Sequence, residues 1–126
     1  MVIHESAEDY LESILVLRER RGVVRSIDIV NELGFSKPSV SIAMKKLREN
    51  GYISMDTDGS ITLNESGLAI ANRIYDRHKT LTQFFTLLGV SETTAAEDAC
   101  KAEHDLSDET FEKIQQFIAS AGKSQL

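Results

Sequence analysis

Three residues in the second half of the chain, Cys100, Glu103 and His104, combine side-chain types that bind divalent transition metals. On a helix, positions i, i+3 and i+4 lie on one face, with Cβ atoms about 5–6 Å apart. The spacing Cys-x-x-Glu-His therefore predicts a thiol, a carboxylate and an imidazole at one place. A buried cysteine that serves only packing, beside an exposed Glu-His pair, gives the same pattern. The triplet alone leaves both interpretations open.

Two further features bear on the same chemistry. His78 lies inside an apolar stripe of helical spacing, where an imidazole needs a partner to replace its lost hydration. Asp9 and Glu12 are spaced i, i+3 along another helical segment. Taken singly, His78 also fits a hydrogen-bonded core histidine. The two acids also fit the solvated first turns of a helix, where the helix dipole favours carboxylates.

A second candidate site is cationic. Ser36 to Arg48 contains four cations and no acid, although the formal net charge of the whole chain is −6. Glu92 to Glu109 contains seven acids and one lysine. This asymmetry predicts one surface that binds an anion and another that binds a cation. Two solvated helix faces of opposite charge would give the same distribution, so charge alone does not choose between them.

The cationic segment lies within a pattern typical of a helix-turn-helix. Helical apolar spacing from Glu5 to Arg21 predicts a first helix, and a short second helix ends at Gly34. Ser36 suits the N-cap of a third helix, and Pro38 suits its first turn. Two short helices joined by a glycine-containing turn are the helix-turn-helix signature, in which the later helix enters the DNA groove.

After Gly51 the apolar period changes from helical to two. Two short alternating runs, 52–55 and 60–63, are separated by a turn that contains Asp58-Gly59. An Asp-Gly turn between such runs predicts a β-hairpin. Because an isolated two-stranded hairpin is marginally stable, we expect it to pack on the helices as a wing.

The pattern of the second half of the chain predicts three helices. The first spans about 64–88, the second runs from Ser91 to about His104, and Ser107 caps the last. The stripe expected to be buried on the long helix comprises Leu68, Ala71, Ile74, Tyr75, His78, Leu81, Phe85 and Leu88. We therefore predict a mainly α fold with an N-terminal winged helix-turn-helix over residues 1–63, followed by a helical metal-binding and dimerisation domain over residues 64–126.

Composition restricts the class of protein. Of the 126 residues, 41% are apolar and 27% are charged, as in an ordinary soluble globular protein. No run of 18 apolar residues is present, which excludes a membrane-spanning helix of ordinary length. Residues 1–4 lead directly into charged residues, so we expect no secretory signal. The single cysteine cannot form an internal disulfide, which favours a cytoplasmic location.

In their order along the chain, these motifs resemble those of the diphtheria toxin repressor family of metal-dependent repressors. The resemblance is strongest to the shorter manganese transport regulator branch, which lacks the SH3-like domain. It covers essentially the whole chain. The matching stretches are Glu8–Glu12, Ser36–Ser41, Arg77-His78, Asp98–His104 and Leu106–Asp108.

The resemblance implies six metal ligands, which hold one or two ions per protomer: Asp9, Glu12, His78, Cys100, Glu103 and His104. Cys100 stands where the manganese branch usually has a glutamate and the iron branch a cysteine, whereas Asp9 replaces a methionine of the iron branch. The chain therefore mixes the two patterns. Carboxylates and imidazoles suit Mn²⁺ and Fe²⁺, whereas a thiolate favours Fe²⁺, Zn²⁺ or Co²⁺. We expect Mn²⁺ or Fe²⁺ as the cofactor, with Zn²⁺ or Co²⁺ also binding in vitro.

The resemblance also implies a homodimeric, metal-activated transcriptional repressor that binds a palindromic double-stranded DNA operator and controls metal homeostasis. Hydroxyls, cations and amides at and near the third helix suit phosphates and base edges. The expected DNA-binding residues are Arg25, Ser36, Lys37, Ser39, Ser41, Lys45 and Lys46. The expected dimer contacts, which also fit an intrachain core, are Leu106, Phe111, Ile114 and Phe117.

Other functions stay open at this point. One is a winged-helix regulator that senses a small organic ligand near Tyr75 and Phe84. Another is a metalloenzyme that activates water at a Cys/Glu/His ion. The chain contains no HExxH motif, Gly-rich phosphate loop or serine nucleophile elbow, so we expect no enzymatic activity. A third is a winged helix that binds only proteins, which predicts no salt-dependent affinity for duplex DNA.

Overall fold

A computed structural model describes the backbone of residues 5–124 and the side chains of residues 5–121. Within that range the elements are, in order, α1 (Glu5–Arg21), α2 (Ser26–Leu33), α3 (Lys37–Glu49), β1 (Ile53–Met55), β2 (Ile61–Leu63), α4 (Glu65–Leu87), α5 (Glu92–Ala102) and α6 (Asp108–Ser124). The predicted mainly α fold with a winged helix-turn-helix is confirmed. No helix in this part of the chain is both long and apolar enough to cross a membrane.

Contacts divide the chain into two compact units, Met1–Arg73 and Ile74–Leu126, with the boundary inside α4. In the first unit, α1, α2, α3 and the hairpin pack around one apolar core. Leu11, Ile14, Ile29 and Val40 are completely buried there. α1 and α3 bury residues spaced three or four apart, as expected for one apolar face per helix, whereas α2 buries only Ile29.

The turn between α2 and α3 follows the predicted local chemistry. Gly34 ends α2 in the left-handed region, with φ of 73°, and its N–H donates to the Val30 carbonyl at 2.9 Å. Glycine adopts this conformation without steric cost. Ser36 is the N-cap of α3, and its Oγ accepts a hydrogen bond from the Ser39 N–H at 3.2 Å. These two residues fix where α3 begins.

The predicted wing is confirmed as an antiparallel pair in which Ile53 faces Leu63 and Met55 faces Ile61. Its turn is closed by Asp58, whose Oδ1 accepts a hydrogen bond from the Ser60 N–H at 3.0 Å. Hydrogen bonding from Ser60 lowers the pKa of Asp58. Arg25 Nε donates to the Asp58 carbonyl at 3.2 Å, which ties the turn to the segment before α2.

Two helix predictions for the second half are wrong in part. Leu68 and Leu88, which we expected in the buried stripe of α4, are 40% and 62% exposed, whereas Ile74 is completely buried. Both leucines lie near the ends of the helical stripe, where fewer neighbours cover a side chain. α5 ends at Ala102 rather than near His104.

The start of α6 follows the prediction. Ser107 Oγ accepts a hydrogen bond from the Thr110 N–H at 3.1 Å, as an N-cap does. Asp108 and Glu109 occupy the first turn of the helix. Negative charge there is favoured by the helix dipole.

Candidate metal centre and DNA interface

Three of the six predicted ligands come together within the second compact unit. The carboxylate of Glu103 is completely buried, and its Oε2 lies 2.9 Å from His78 Nδ1. Its Oε1 lies 3.5 Å from Nε2 of His104, whose side chain is 2% exposed. His78 reaches the carboxylate from the middle of α4, with 30% of its side chain exposed. One acidic group and two imidazoles therefore meet at one partly accessible place.

The donor atoms at this place fit a divalent transition metal. Glu103 Oε1 is buried and has no hydrogen-bond partner among the residues that the structure describes. A buried polar atom left in this way costs about 1–3 kcal/mol, and more when the group is charged. A bound cation would satisfy that oxygen. A carboxylate together with imidazole nitrogens is a donor set used for Mn²⁺, Fe²⁺, Zn²⁺ and Co²⁺.

The turn that carries Glu103 and His104 is held by Arg77, to which the sequence analysis gave no separate role. Arg77 is 1% exposed. Its Nη1 donates to the carbonyl oxygens of Glu103 and Leu106 at 3.1 and 2.6 Å, and its Nη2 to Asp108 Oδ1 at 2.7 Å. The guanidinium carbon lies 5.1 Å from the centre of the Phe111 ring. One buried side chain therefore anchors the segment between α5 and α6 at three points.

A signal for this role was present in the sequence. Arg77 follows Ile74 by three residues and precedes Leu81 by four, which is the spacing of the buried face of α4. A charged residue at such a position requires several partners. The pattern could have identified Arg77 as buried and paired, but it could not have named the partners.

The hydrogen bonds of Arg77 also explain why α5 is shorter than predicted. The Glu103 N–H still donates to the Ala99 carbonyl at 2.9 Å, so the helical pattern reaches this residue. The Glu103 carbonyl, however, accepts from Arg77. The chain turns away at this point, and Glu103 and His104 lie in the turn after α5 rather than on its last turn.

Cys100 lies on α5 and is exposed. Among the described residues, no group of three His, Cys, Asp or Glu ligand atoms within 4.8 Å of one another includes it. Asp9 and Glu12 lie one turn apart on α1 in the first unit, each partly buried. The ligand roles of these three residues stay predictions.

The second candidate site is the surface of α3 in the first unit. All seven predicted DNA-binding residues are exposed: Arg25, Ser36, Lys37, Ser39, Ser41, Lys45 and Lys46. Some of them also have structural partners: Ser36 caps α3 and donates to Ser39 Oγ at 2.9 Å, and Arg25 contacts Asp58 of the wing. Lys45 Nζ lies 4.0 Å from Glu49 Oε1, a weak exposed pair that leaves the ammonium accessible.

A recess beside α3 adds residues that the sequence analysis did not select. It has a volume of about 200 Å³ and is lined by Ser26, Ser41, Met44, Lys45, Arg48 and Met55. Hydroxyls and cations around a small recess suit the oxygens of a backbone phosphate. Arg48 and Ser26 therefore join the candidate anion-binding surface.

The second unit also has an exposed apolar groove between α4 and α6. It has a volume of about 340 Å³, and its apolar lining comes from Phe84, Leu88, Ile114 and Phe117. The rings of Phe84 and Phe117 pack edge to face, with centres 5.8 Å apart. Phe117 is nevertheless 54% exposed. Of the expected dimer contacts, Ile114 and Phe117 line this groove, whereas Phe111 packs on Arg77.

Comparison with known proteins identifies the family. The model described as the iron dependent repressor N-terminal DNA binding domain matches residues 3–61. The model described as the iron dependent repressor metal binding and dimerisation domain matches residues 64–124. The chain belongs to the iron dependent repressor family. The resemblance drawn from the sequence motifs is confirmed.

Curated relatives agree with this family. An uncharacterised helix-turn-helix-type transcriptional regulator of Methanocaldococcus jannaschii is 39% identical over 90% of this chain and 93% of its own length. The transcriptional regulator MntR of Geobacillus kaustophilus is 34% identical over 90% of this chain and 80% of its own length.

Solved structures show the same fold. A manganese-dependent transcriptional repressor in complex with manganese is 28% identical, with a TM-score of 0.83 over 90% of this chain and 52% of that one. The manganese regulator SloR is 28% identical, with a TM-score of 0.79 over 94% of this chain and 55% of that one. The chain thus spans about half the length of these solved relatives.

Proposed function

We propose that this protein is a metal-activated, homodimeric transcriptional repressor that binds a palindromic DNA operator in the cytoplasm and controls metal homeostasis. Mn²⁺ or Fe²⁺ is the proposed co-repressor. The observation that carries the proposal is the buried carboxylate of Glu103 between the imidazoles of His78 and His104. The two family models, which describe DNA-binding and metal-binding domains, support it.

In this proposal six residues form the metal site: Asp9, Glu12, His78, Cys100, Glu103 and His104. When bound, the cation supplies positive charge that offsets the carboxylates and accepts lone pairs from the ligands. Arg77 holds the Glu103–His104 turn in place before binding, because its guanidinium anchors that turn at three points. Asp9, Glu12 and Glu103 repel one another while all three are ionised, which opposes assembly of the full set without metal.

The ligand set links the two proposed domains. Asp9 and Glu12 belong to the DNA-binding domain, residues 1–63, and the other ligands to the metal-binding and dimerisation domain, residues 64–126. Shared ligation restricts the positions that the DNA-binding domain can adopt. A two-fold dimer must place its reading helices about 34–36 Å apart to enter successive major grooves. Restricting that separation beforehand lowers the entropy lost when DNA binds.

The DNA surface in this proposal is the exposed side of α3. Amides and hydroxyls at its start, with Ser36 as N-cap, face the phosphates and base edges, and Lys45 and Lys46 neutralise phosphates further along. We place the dimer contact at the groove of α4 and α6 that exposes Phe117, because an exposed apolar groove marks an association surface.

The test is a DNA-binding titration on a palindromic duplex library with Mn²⁺, with anaerobic Fe²⁺, with Zn²⁺ and with a chelator. We expect tight, salt-dependent binding with metal and much weaker binding with the chelator. The matched variant is Glu103→Gln with His104→Ala, which should bind DNA weakly under every condition. By linkage, operator DNA should tighten metal binding by the same factor by which metal tightens DNA binding. Equal DNA affinity with and without metal would contradict the proposal.

A further inference from the structure

The outward face of α3 has an apolar centre. Val40, Met44 and Leu47 are 0–1% exposed and define the buried face of this helix. At about 100° per residue, Ile42 points about 190° away from the middle of that face. Ile42 is 58% exposed. The side chain directly opposite the core is therefore a branched hydrocarbon.

One side of Ile42 lines a recess of about 280 Å³ beside α1, and its other surroundings are those of a nucleic-acid surface. Ser39, Ser41, Lys45 and Lys46 are exposed around it, and α3 contains no acid before Glu49. Within the described part of α3, Ile42 is the one large apolar side chain with more than a third of its surface exposed. An isoleucine can neither donate nor accept a hydrogen bond, so it cannot read the polar groups of base edges.

We propose that Ile42 is a specificity residue that packs against the C5-methyl group of thymine in the major groove. The proposal rests on the proposed function and names one feature of its operator. The major groove presents one apolar group among the four base pairs, the thymine methyl, and apolar side chains contact it. The hydroxyls and cations around Ile42 can bind phosphates and the polar edges of bases. The Ile42 side chain, which lies between them, is then left to pack against the thymine methyl.

The experiment begins with an operator selected from a random palindromic library by the full chain with Mn²⁺. Each thymine of that operator is then replaced by uracil, which removes the methyl and keeps every hydrogen-bonding group. Fluorescence anisotropy measures affinity for each duplex. We expect one thymine in each half-site to contact Ile42. Replacing that thymine by uracil in one half-site should lower the affinity about fourfold, as expected for the loss of one buried methyl group. Replacing it in both half-sites should lower the affinity about 15-fold.

The same duplexes are measured with Ile42→Ala and Ile42→Val. We expect the penalty for uracil to fall below about twofold in Ile42→Ala, and to lie between alanine and wild type in Ile42→Val, which is the less disruptive change. Lys46→Ala is the matched control, because loss of a phosphate contact weakens binding to all duplexes and lowers the salt slope by about 1. Its uracil penalty should equal that of the wild type.

Two results would overturn the assignment of Ile42. One is a wild-type protein that tolerates uracil at every thymine without loss of affinity. The other is a uracil penalty that persists unchanged in Ile42→Ala. If the wild type binds no DNA with any metal, the proposed function itself fails. If the wild type binds DNA but tolerates uracil, only the assignment of Ile42 fails, so the two failures are distinguishable.

Discussion

Replacement of Arg77 by lysine tests whether the proposed metal ligands Glu103 and His104 are positioned by a buried cation. The guanidinium makes three charge-assisted hydrogen bonds, to the carbonyls of Glu103 and Leu106 and to the carboxylate of Asp108. Lysine keeps the charge but lacks the planar fork that reaches these three acceptors together. We expect at least one carbonyl to lose its partner.

The magnitude follows from the burial of this residue. A hydrogen bond to a charged group contributes about 1.5–3 kcal/mol, and Arg77 is 1% exposed, so solvent cannot replace a lost donor. We expect Arg77→Lys to lower the free energy of unfolding by about 2–3 kcal/mol in the presence of a chelator. Because the Glu103–His104 turn is then less fixed, we expect metal affinity to fall about 10–100-fold, as for other residues that orient metal ligands.

Urea unfolding followed by circular dichroism gives the stability, and calorimetric titration with Mn²⁺ gives the affinity. Arg20→Lys is the matched control, because Arg20 is 59% exposed and pairs with Glu32 on the surface at 3.4 Å. It should change stability by less than about 0.5 kcal/mol and leave metal affinity unchanged. If Arg77→Lys loses stability but binds Mn²⁺ as tightly as the wild type, Arg77 supports the fold and does not position the ligands.

Three other outcomes are expected. Mn²⁺ at 100 times its Kd should stabilise the wild type by about 2.7 kcal/mol, and Glu103→Gln should remove this gain in the same unfolding assay; a persistent gain would place the metal elsewhere. Gly67→Ala should destabilise the protein, because the added Cβ would overlap the Tyr52 carbonyl. This is expected even though alanine is more favourable than glycine in a helix by about 1 kcal/mol. A higher melting temperature for this variant would contradict the packing of Gly67 against Tyr52. Phe117→Asp should convert the dimer to a monomer in analytical ultracentrifugation, whereas the exposed Gln116→Asp should not, and an intact Phe117→Asp dimer would move the interface away from the α4–α6 groove.

Local chemistry accounts for the parts of the fold that were predicted correctly. Ser36 caps α3 with its own side chain, and Gly34 ends α2 in a conformation that glycine adopts freely. Asp58 and Gly59 close the wing through hydrogen bonds within four residues. Such signals involve near neighbours in the chain, so they can be read from the sequence before anything is known of the packing.

The candidate metal centre, in contrast, depends on contacts between residues that are far apart in the sequence. The residue types of His78, Glu103 and His104 identified them as candidate ligands, but the turn that carries Glu103 is held by Arg77, which lies 26 residues before the Glu103 carbonyl that it binds. No spacing rule connects residues so far apart. The predicted role of Cys100 stays a prediction: its side chain is exposed on α5, and Glu103 keeps helical geometry at the end of that helix.

By itself, the sequence determined the order of helices and strands, the reading helix with its cations, and the residue types able to bind a transition metal. These depend on periodicity, caps and side-chain chemistry, which are local properties. Only the tertiary structure decided that the Glu103 carboxylate is buried between two imidazoles, that a buried guanidinium holds its turn, and that Ile42 points away from the core of the first unit. Burial depends on which distant segments pack together, and that is a property of the folded chain.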